Sequence, residues 1–262
     1  IQTQASAGAN WIRVTSGTTS GLNGVCYGNS QYAAVGDGGI ILTSSNLSSW
    51  SKPSSGTTND LLGVSTDGSG LLVAVGTNGT VVYSSNNGVS WSKTSIAGLS
   101  NTTGCIAYGG GTFMAFFGAD CYTSSNGSSW TKKATVSSNV NGLAYGDNKF
   151  WIVGNSIAAY SSDCGTSWSN WNWCYCTASA LNSLVYNGAT YFVSFGNSGM
   201  AYITYNNGDT YDKRTGFSSY NFKGAGYGFI DGSIFFVGVG ANGGTGAIIT
   251  TETTASWNDK TT

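Results

Sequence analysis

The sequence predicts an all-β chain folded as a six-bladed β-propeller of four-stranded antiparallel blades, and three observations carry that expectation. An aromatic marker recurs at Trp11, Trp50, Trp91, Trp130, Trp168, Tyr211 and Trp257, with spacings of 39, 41, 39, 38, 43 and 46 residues. Three short apolar strands, parted by Gly-rich turns, fit between successive markers. No helical period and no run of strong helix formers interrupts the 262 residues.

The first strand of each unit reads NGVCYG (23–28), LGVSTD (62–67), CIAYGG (105–110), NGLAYG (141–146), NSLVYN (182–187) and KGAGYG (223–228). The second reads QYAAVG (31–36), LLVAVG (71–76), FMAFFG (113–118), FWIVG (150–154), YFVSFG (191–196) and IFFVGVG (234–240). These second strands are apolar on both faces, as strands between stacked sheets must be. The third strand reads IILTSS, TVVYSS, CYTSS, IAAYSS, MAYITY and AIITT, and a fourth starts at each aromatic marker. One small sheet cannot cover both of its faces alone, so such units stack around a common axis. Seven blades are the minor alternative. A β-sandwich would not repeat so regularly, and a β-helix has a shorter period. The uncharged segment IQTQASAGAN (1–10) reads as an extended arm ahead of a single propeller domain over 11–262.

The turn before each aromatic marker carries a family resemblance. SSNNGVSW (84–91) and SSDCGTSW (161–168) resemble the Asp-box of bacterial-neuraminidase-type repeats, Ser/Thr-x-Asp-x-Gly-x-Thr-Trp. TYNNGDTY (204–211) matches with Asn and Tyr, SSNLSSW (44–50) and SSNGSSW (124–130) are one residue short, and TTETTASW (250–257) is degenerate. In such a box the Asn or Asp closes an Asx-turn, Gly takes a positive φ and Trp packs inward. The resemblance implies a folding device set away from any active site. Propellers of this kind include sialidases, xyloglucan-type glycosidases, lectins, sorting receptors and a photosystem assembly factor. A sialidase needs an arginine triad and a Tyr/Glu pair, and the assembly factor implies a basic arginine patch. Two arginines in the whole chain, Arg13 and Arg214, supply neither, which leaves a non-catalytic member as the expectation.

Composition excludes further chemistry. Charged residues are 8% of the chain, against about 25% in an average soluble domain. Without His there is no Ser-His-Asp or Cys-His relay and no imidazole metal ligand. With one glutamate, Glu252, paired-carboxylate glycoside hydrolysis falls to aspartates such as Asp37, Asp120 and Asp147, the remote alternative. A net charge of −1 gives no counterion-release drive toward nucleic acid and no polybasic membrane patch. No apolar run nears the roughly 18 residues of a membrane span. Six cysteines in an Asn/Ser/Thr-rich background, with sequons at Asn46, Asn78, Asn101 and Asn126, point to an extracellular or cell-surface setting. The start at Ile1 without a signal-like segment fits a processed secreted chain or a trimmed one.

Three features are candidates for function. Asp37, Asn78, Asp120, Asn155, Asn197 and Asn242 follow the second-strand glycines, where they suit sugar hydroxyls or a hard cation, and equally suit ordinary hairpin turns. WSNWNWCYC (168–176) holds more aromatics than the repeat needs; Trp171, Trp173 and Tyr175 suit stacking on a sugar or a protein, or form a plug fastened by Cys164 with Cys174 or Cys176. Cys-Tyr-Cys has too few partners for a metal, so neither metal nor cofactor is expected. Finally, seven marker strands serve six inner sets. Either WIRVTS, with Trp11, Ile12, Arg13 and Val14, or WNDK (257–260) is left over, free to add to the sheet edge of another molecule. Repeated head to tail, that contact builds a filament. The expected function is a non-enzymatic extracellular structural or adhesive subunit contacting proteins and glycans, with a secreted carbohydrate-binding lectin as the alternative.

Overall fold

Each repeat folds as one antiparallel sheet whose strands follow in chain order, giving a six-bladed β-propeller with almost no helix. The computed structural model describes residues 2–3, 12–100, 103–170, 180–205, 210–214, 217–230, 233–252 and 258–259. A short pair, β1 (Gln2–Thr3) and β2 (Ile12–Arg13), precedes the blades. Blade 1 is β3 (Leu22–Gly28), β4 (Gln31–Gly36) and β5 (Ile41–Ser44). Blade 2 is β6 (Leu61–Thr66), β7 (Leu72–Gly76), β8 (Thr80–Ser84) and β9 (Ser92–Ser95). Blade 3 is β10 (Gly104–Gly109), β11 (Thr112–Phe117), β12 (Asp120–Ser124) and β13 (Thr131–Thr135). Blade 4 is β14 (Val140–Gly146), β15 (Lys149–Gly154), β16 (Ala158–Ser161) and β17 (Ser169–Asn170). Blade 5 is β18 (Leu181–Tyr186), β19 (Phe192–Gly196), β20 (Ala201–Tyr205) and β21 (Thr210–Arg214). Blade 6 is β22 (Tyr220–Ile230), β23 (Ser233–Asn242), β24 (Thr245–Glu252) and β25 (Asn258–Asp259).

The chain divides into two compact units. The first, Ile1–Val136 with Asp163–Ser167, holds blades 1 to 3; the second, Ser137–Ser162 with Trp168–Thr262, holds blades 4 to 6. In the first unit β7 shows how the apolar second strand is used. Leu72 and Ala74 pack with Ala33, Val35 and Ile41 of blade 1, while Val73 and Val75 pack with Phe113, Ala115 and Phe117 of blade 3. In the second unit Phe192 joins Trp151 and Val153 of blade 4, whereas Val193 and Phe195 join Phe222, Phe236 and Ile249 of blade 6. Burying one such aliphatic or aromatic side chain is worth about 1.5–3 kcal/mol.

The turns into the fourth strands repeat one hydrogen-bond pattern. Asn46 Oδ1 accepts from the Ser48 and Ser49 amides, Asn86 Oδ1 from Ser90, Asn126 Oδ1 from Ser128 and Ser129, and Asp163 Oδ1 from Ser167. The indole N–H of Trp50, Trp91 and Trp130 donates to the carbonyl three residues earlier, at 3.2, 3.2 and 2.9 Å. Each turn thus anchors its own Trp.

The count of marker strands is resolved at both ends. β25 pairs with β24 through Ile249↔Asp259 and Thr250↔Asn258, so the C-terminal segment completes blade 6. In blade 1 the fourth position is held by residues after Trp50, with Ser51 bridged to Thr43. Pro53, the chain's single proline, follows two residues on, where a missing N–H ends the ladder. β2, from the WIRVTS segment, is the strand left over, and it pairs with β1 through Gln2↔Arg13 and Thr3↔Ile12.

The glycines that end β4, β7, β15 and β19 are each fixed by a close approach to a backbone carbonyl. A Cβ on Gly76 would lie 2.2 Å from the Asp60 carbonyl oxygen, and one on Gly154 would lie 2.0 Å from that of Asn139. Both neighbours are backbone, so neither can yield without moving a strand. Gly76→Ala is expected to destabilise the chain by about 2–3 kcal/mol, read as a lower urea midpoint. Val89→Ala, at an exposed turn, is expected to leave that midpoint within about 0.5 kcal/mol of the parent.

Candidate functional site

The turns between second and third strands hold the polar residues singled out in the sequence, and an unforeseen set of asparagines ties them down. Five blades carry a β-bulge in the first strand, at Asn23, Leu62, Asn141, Asn182 and Lys223. A bulge re-aims one side chain out of the pleat. In the first unit Asn23 Nδ2 donates to Asp37 Oδ1 at 2.8 Å and to the Leu61 carbonyl of the next blade at 3.0 Å. In the second unit Asn141 makes the same two bonds, to Asn155 Oδ1 and the Leu181 carbonyl, both at 3.1 Å. Asn182 repeats them on Asn197 Oδ1 and the Phe222 carbonyl, at 2.8 and 2.7 Å. The following residue of the turn adds a second link, Gly38 N–H to Asp60 Oδ1 and Ser198 N–H to Asn221 Oδ1. Asp37, Asn155 and Asn197 therefore serve as the inner halves of blade-to-blade clamps.

The other three residues of that set stand elsewhere in their turns. Thr77, not Asn78, occupies the position of Asp37, its amide donating to the Asp60 carbonyl as that of Asp37 does to Gly21. Asn78 sits one place on, exposed, with φ at +56°. In blade 3 Gly118 takes the matching position, and Asp120 opens β12, bound to Lys132 Nζ at 2.8 Å and to the Thr135 hydroxyl. Those two bonds hold the Asp120 carboxyl below its ordinary value. Asn242 ends β23 opposite Thr245. Asp147 lies in the turn between first and second strands of its blade, paired with Lys149 at 2.8 Å.

Asn46 and Asn126, like Asn78, are exposed, and their Oδ1 atoms are already engaged in the turns described above. Val14 is half-buried beyond β2. Cys164 is an exposed free thiol; Cys26, Cys105 and Cys121 are also free, each pushed up to about 12 by burial. Trp11, Asn101, Trp171, Trp173, Tyr175, Cys174 and Cys176 lie outside the described residues, as do the side chains of Ile12 and Arg13. Among the described residues no three Cys, Asp or Glu gather as a metal site, and no helix is long and apolar enough to cross a membrane.

The opposite ends of the first strands carry tyrosines. Tyr27, Tyr108, Tyr145, Tyr186 and Tyr227 each pair across the hairpin with an aromatic of the second strand, Tyr32, Phe113, Phe150, Phe192 and Phe236. Ring centroids lie 4.3, 4.7, 4.9, 4.5 and 6.4 Å apart. In the second unit Tyr186 lies over Gly146 of the preceding blade, where a Cβ would meet its ring at 2.4 Å. Burial, with the Asp147 carboxylate and Tyr227 nearby, raises the Tyr186 phenol above its ordinary value.

No protein-family model matches the chain, and no curated protein matches it. Solved structures share its fold. YCF48 from Cyanidioschyzon merolae superimposes with a TM-score of 0.70 at 14% identity, covering 96% of this chain and 88% of its own. YCF48 bound to D1 peptide gives 0.69 at 15% identity, covering 95% and 82%. The Niastella koreensis GH74 enzyme gives 0.69 at 18% identity; 92% of this chain matches 38% of that one.

The clamp predicts a measurable cost. Asn141→Ala leaves the Leu181 carbonyl and Asn155 Oδ1 without their donor, and unfolding should become easier by about 1–3 kcal/mol; Asn141→Asp, which keeps the shape but replaces the donor, should be no better. The Asp120 contact predicts a pH effect. A carboxyl lowered in the folded state stabilises above its unfolded value of 3.8 and loses that contribution as pH falls through the folded value. Asp120→Asn should therefore flatten the acid limb of a thermal-midpoint profile below that pH, a small change for so exposed a pair.

Proposed function

We propose that the chain is a non-catalytic, Asp-box-type propeller working as an extracellular structural or adhesive subunit that binds other macromolecules and joins its own copies through the N-terminal strand. The observation that carries this reading is β2. It belongs to a segment with the sequence of a fourth strand, yet blades 1 and 6 are both completed without it. Paired only with the two residues of β1 among the described strands, it is a donor for the sheet edge of a neighbouring copy. The repeated Asn/Asp–Trp turns support the Asp-box reading. A peptide-bound propeller of the same fold supports binding rather than turnover. The described aspartates singled out for hydrolysis are engaged with Asn23, Lys132 and Lys149, and Asp120 is shifted away from the raised value a general acid needs.

Light scattering on the full chain beside a form lacking residues 1–20 tests the assembly. Polymer from the full chain and monomer from the truncated form is the expected result. Monomer from both would remove the self-association and leave binding of foreign partners alone.

A further inference from the structure

Within each unit, one face of a first strand is covered by the blade before it. Val64 of β6 packs with Val35 and Ile41 of blade 1, and Ile106 of β10 with Val75 and Val81 of blade 2. In the second unit Leu184 of β18 packs with Trp151 and Val153 of blade 4. Val64, Ile106 and Leu184 are accordingly 7%, 9% and 7% exposed. Val25 holds the same register on β3, opposite Ala34 as Val64 is opposite Ala74 and Ile106 opposite Ala115, yet it is 66% exposed. Tyr27, two residues on and therefore on the same face, is 58% exposed. The other face of β3 is in use, with Cys26 packed toward blade 2.

The second unit leaves the complementary face uncovered. Val35, Val75, Val153 and Phe195 each stand opposite the residue that follows the first-strand bulge, and each is fully buried. Val239 stands opposite Gly224 in the same way and is 41% exposed, with Val237 half-buried on the same face. Chain order supplies a direction. The strand that leads into a first strand completes the blade covering it: β9 completes blade 2 and leads into β10, and β21 completes blade 5 and leads into β22. β2 leads into β3 in the same manner.

We infer that blade 6 of a second copy covers the Val25–Tyr27 face of blade 1, and that β2 adds to the outer edge of that same foreign blade, resting on the self-association half of the proposed function and naming its acceptor. Val239 of the second copy then takes toward Val25 the part that Val35 takes toward Val64. Burial of these apolar side chains drives the contact. The two copies use different patches, so the contact repeats head to tail.

Light scattering on Val25→Glu and Val239→Glu, each in the full chain and beside the parent, tests the contact. Each variant is expected to lose the polymer while residues 1–20 remain in place, at an unchanged thermal midpoint. Mixed in equal amounts, the two variants should form dimers and stop there, since one copy keeps its blade 6 face and the other its blade 1 face. A polymer that survives both substitutions but not removal of residues 1–20 overturns the inference and leaves strand addition at another edge. A mixture that stays monomeric overturns it too. So does a lowered midpoint in either variant, because the substituted face is then covered within its own copy. A parent chain that is itself monomeric removes the self-association and this contact together.

Discussion

Every blade has an inner strand pair that must be covered on both sides, and this double burial governs the rest of the molecule. β7 gives Leu72 and Ala74 to one neighbour and Val73 and Val75 to the other, so no residue of that strand is free to be polar. Backbones then have to come close. Gly76 and Gly154 pass their linker carbonyls at distances that exclude a β-carbon, and the Tyr186 ring rests on Gly146. With side chains so committed, hydrogen bonding between blades falls to strand ends. There Asn23, Asn141 and Asn182 reach from one blade to a backbone carbonyl of the next.

The same constraint explains what was legible in the sequence. Two-sided apolar runs such as LLVAVG and FMAFFG mark buried strands directly, and Ser-x-Asn turns with a following Trp mark where a fourth strand begins. The clamps were not legible. An Asn at the start of NGVCYG or NGLAYG looks like turn chemistry, because alternation cannot show that a bulge turns its amide toward the next sheet. Counting from the second-strand glycine also misplaces Asn78, since Thr77 holds the position of Asp37 and a tight Gly118–Ala119 turn displaces Asp120.

The outer strands are the exposed edges of the sheets, and their composition suits that position. Lys93 lies on β9, Lys132 and Lys133 on β13, and Lys213 with Arg214 on β21, while Lys52 and Pro53 follow the bridge in blade 1. Lysine and proline at an edge oppose indiscriminate strand pairing. In a chain with ten cations, placing this many on fourth strands restricts which edges accept a foreign strand.

Among the described residues no blade borrows a strand from a distant part of the chain: each sheet is assembled from consecutive segments, including blade 6 with its C-terminal β25. Each segment is therefore a hairpin set whose pairings close short loops, at little loop-closure cost, while its faces still need the neighbouring blades. In evolutionary terms, duplication of a single segment inserts a complete sheet without re-threading any other, and a segment like those of Asn23, Asn141 or Asn182 brings its clamp donor with it. Gain or loss of a whole segment would leave the pairing inside every remaining sheet unchanged.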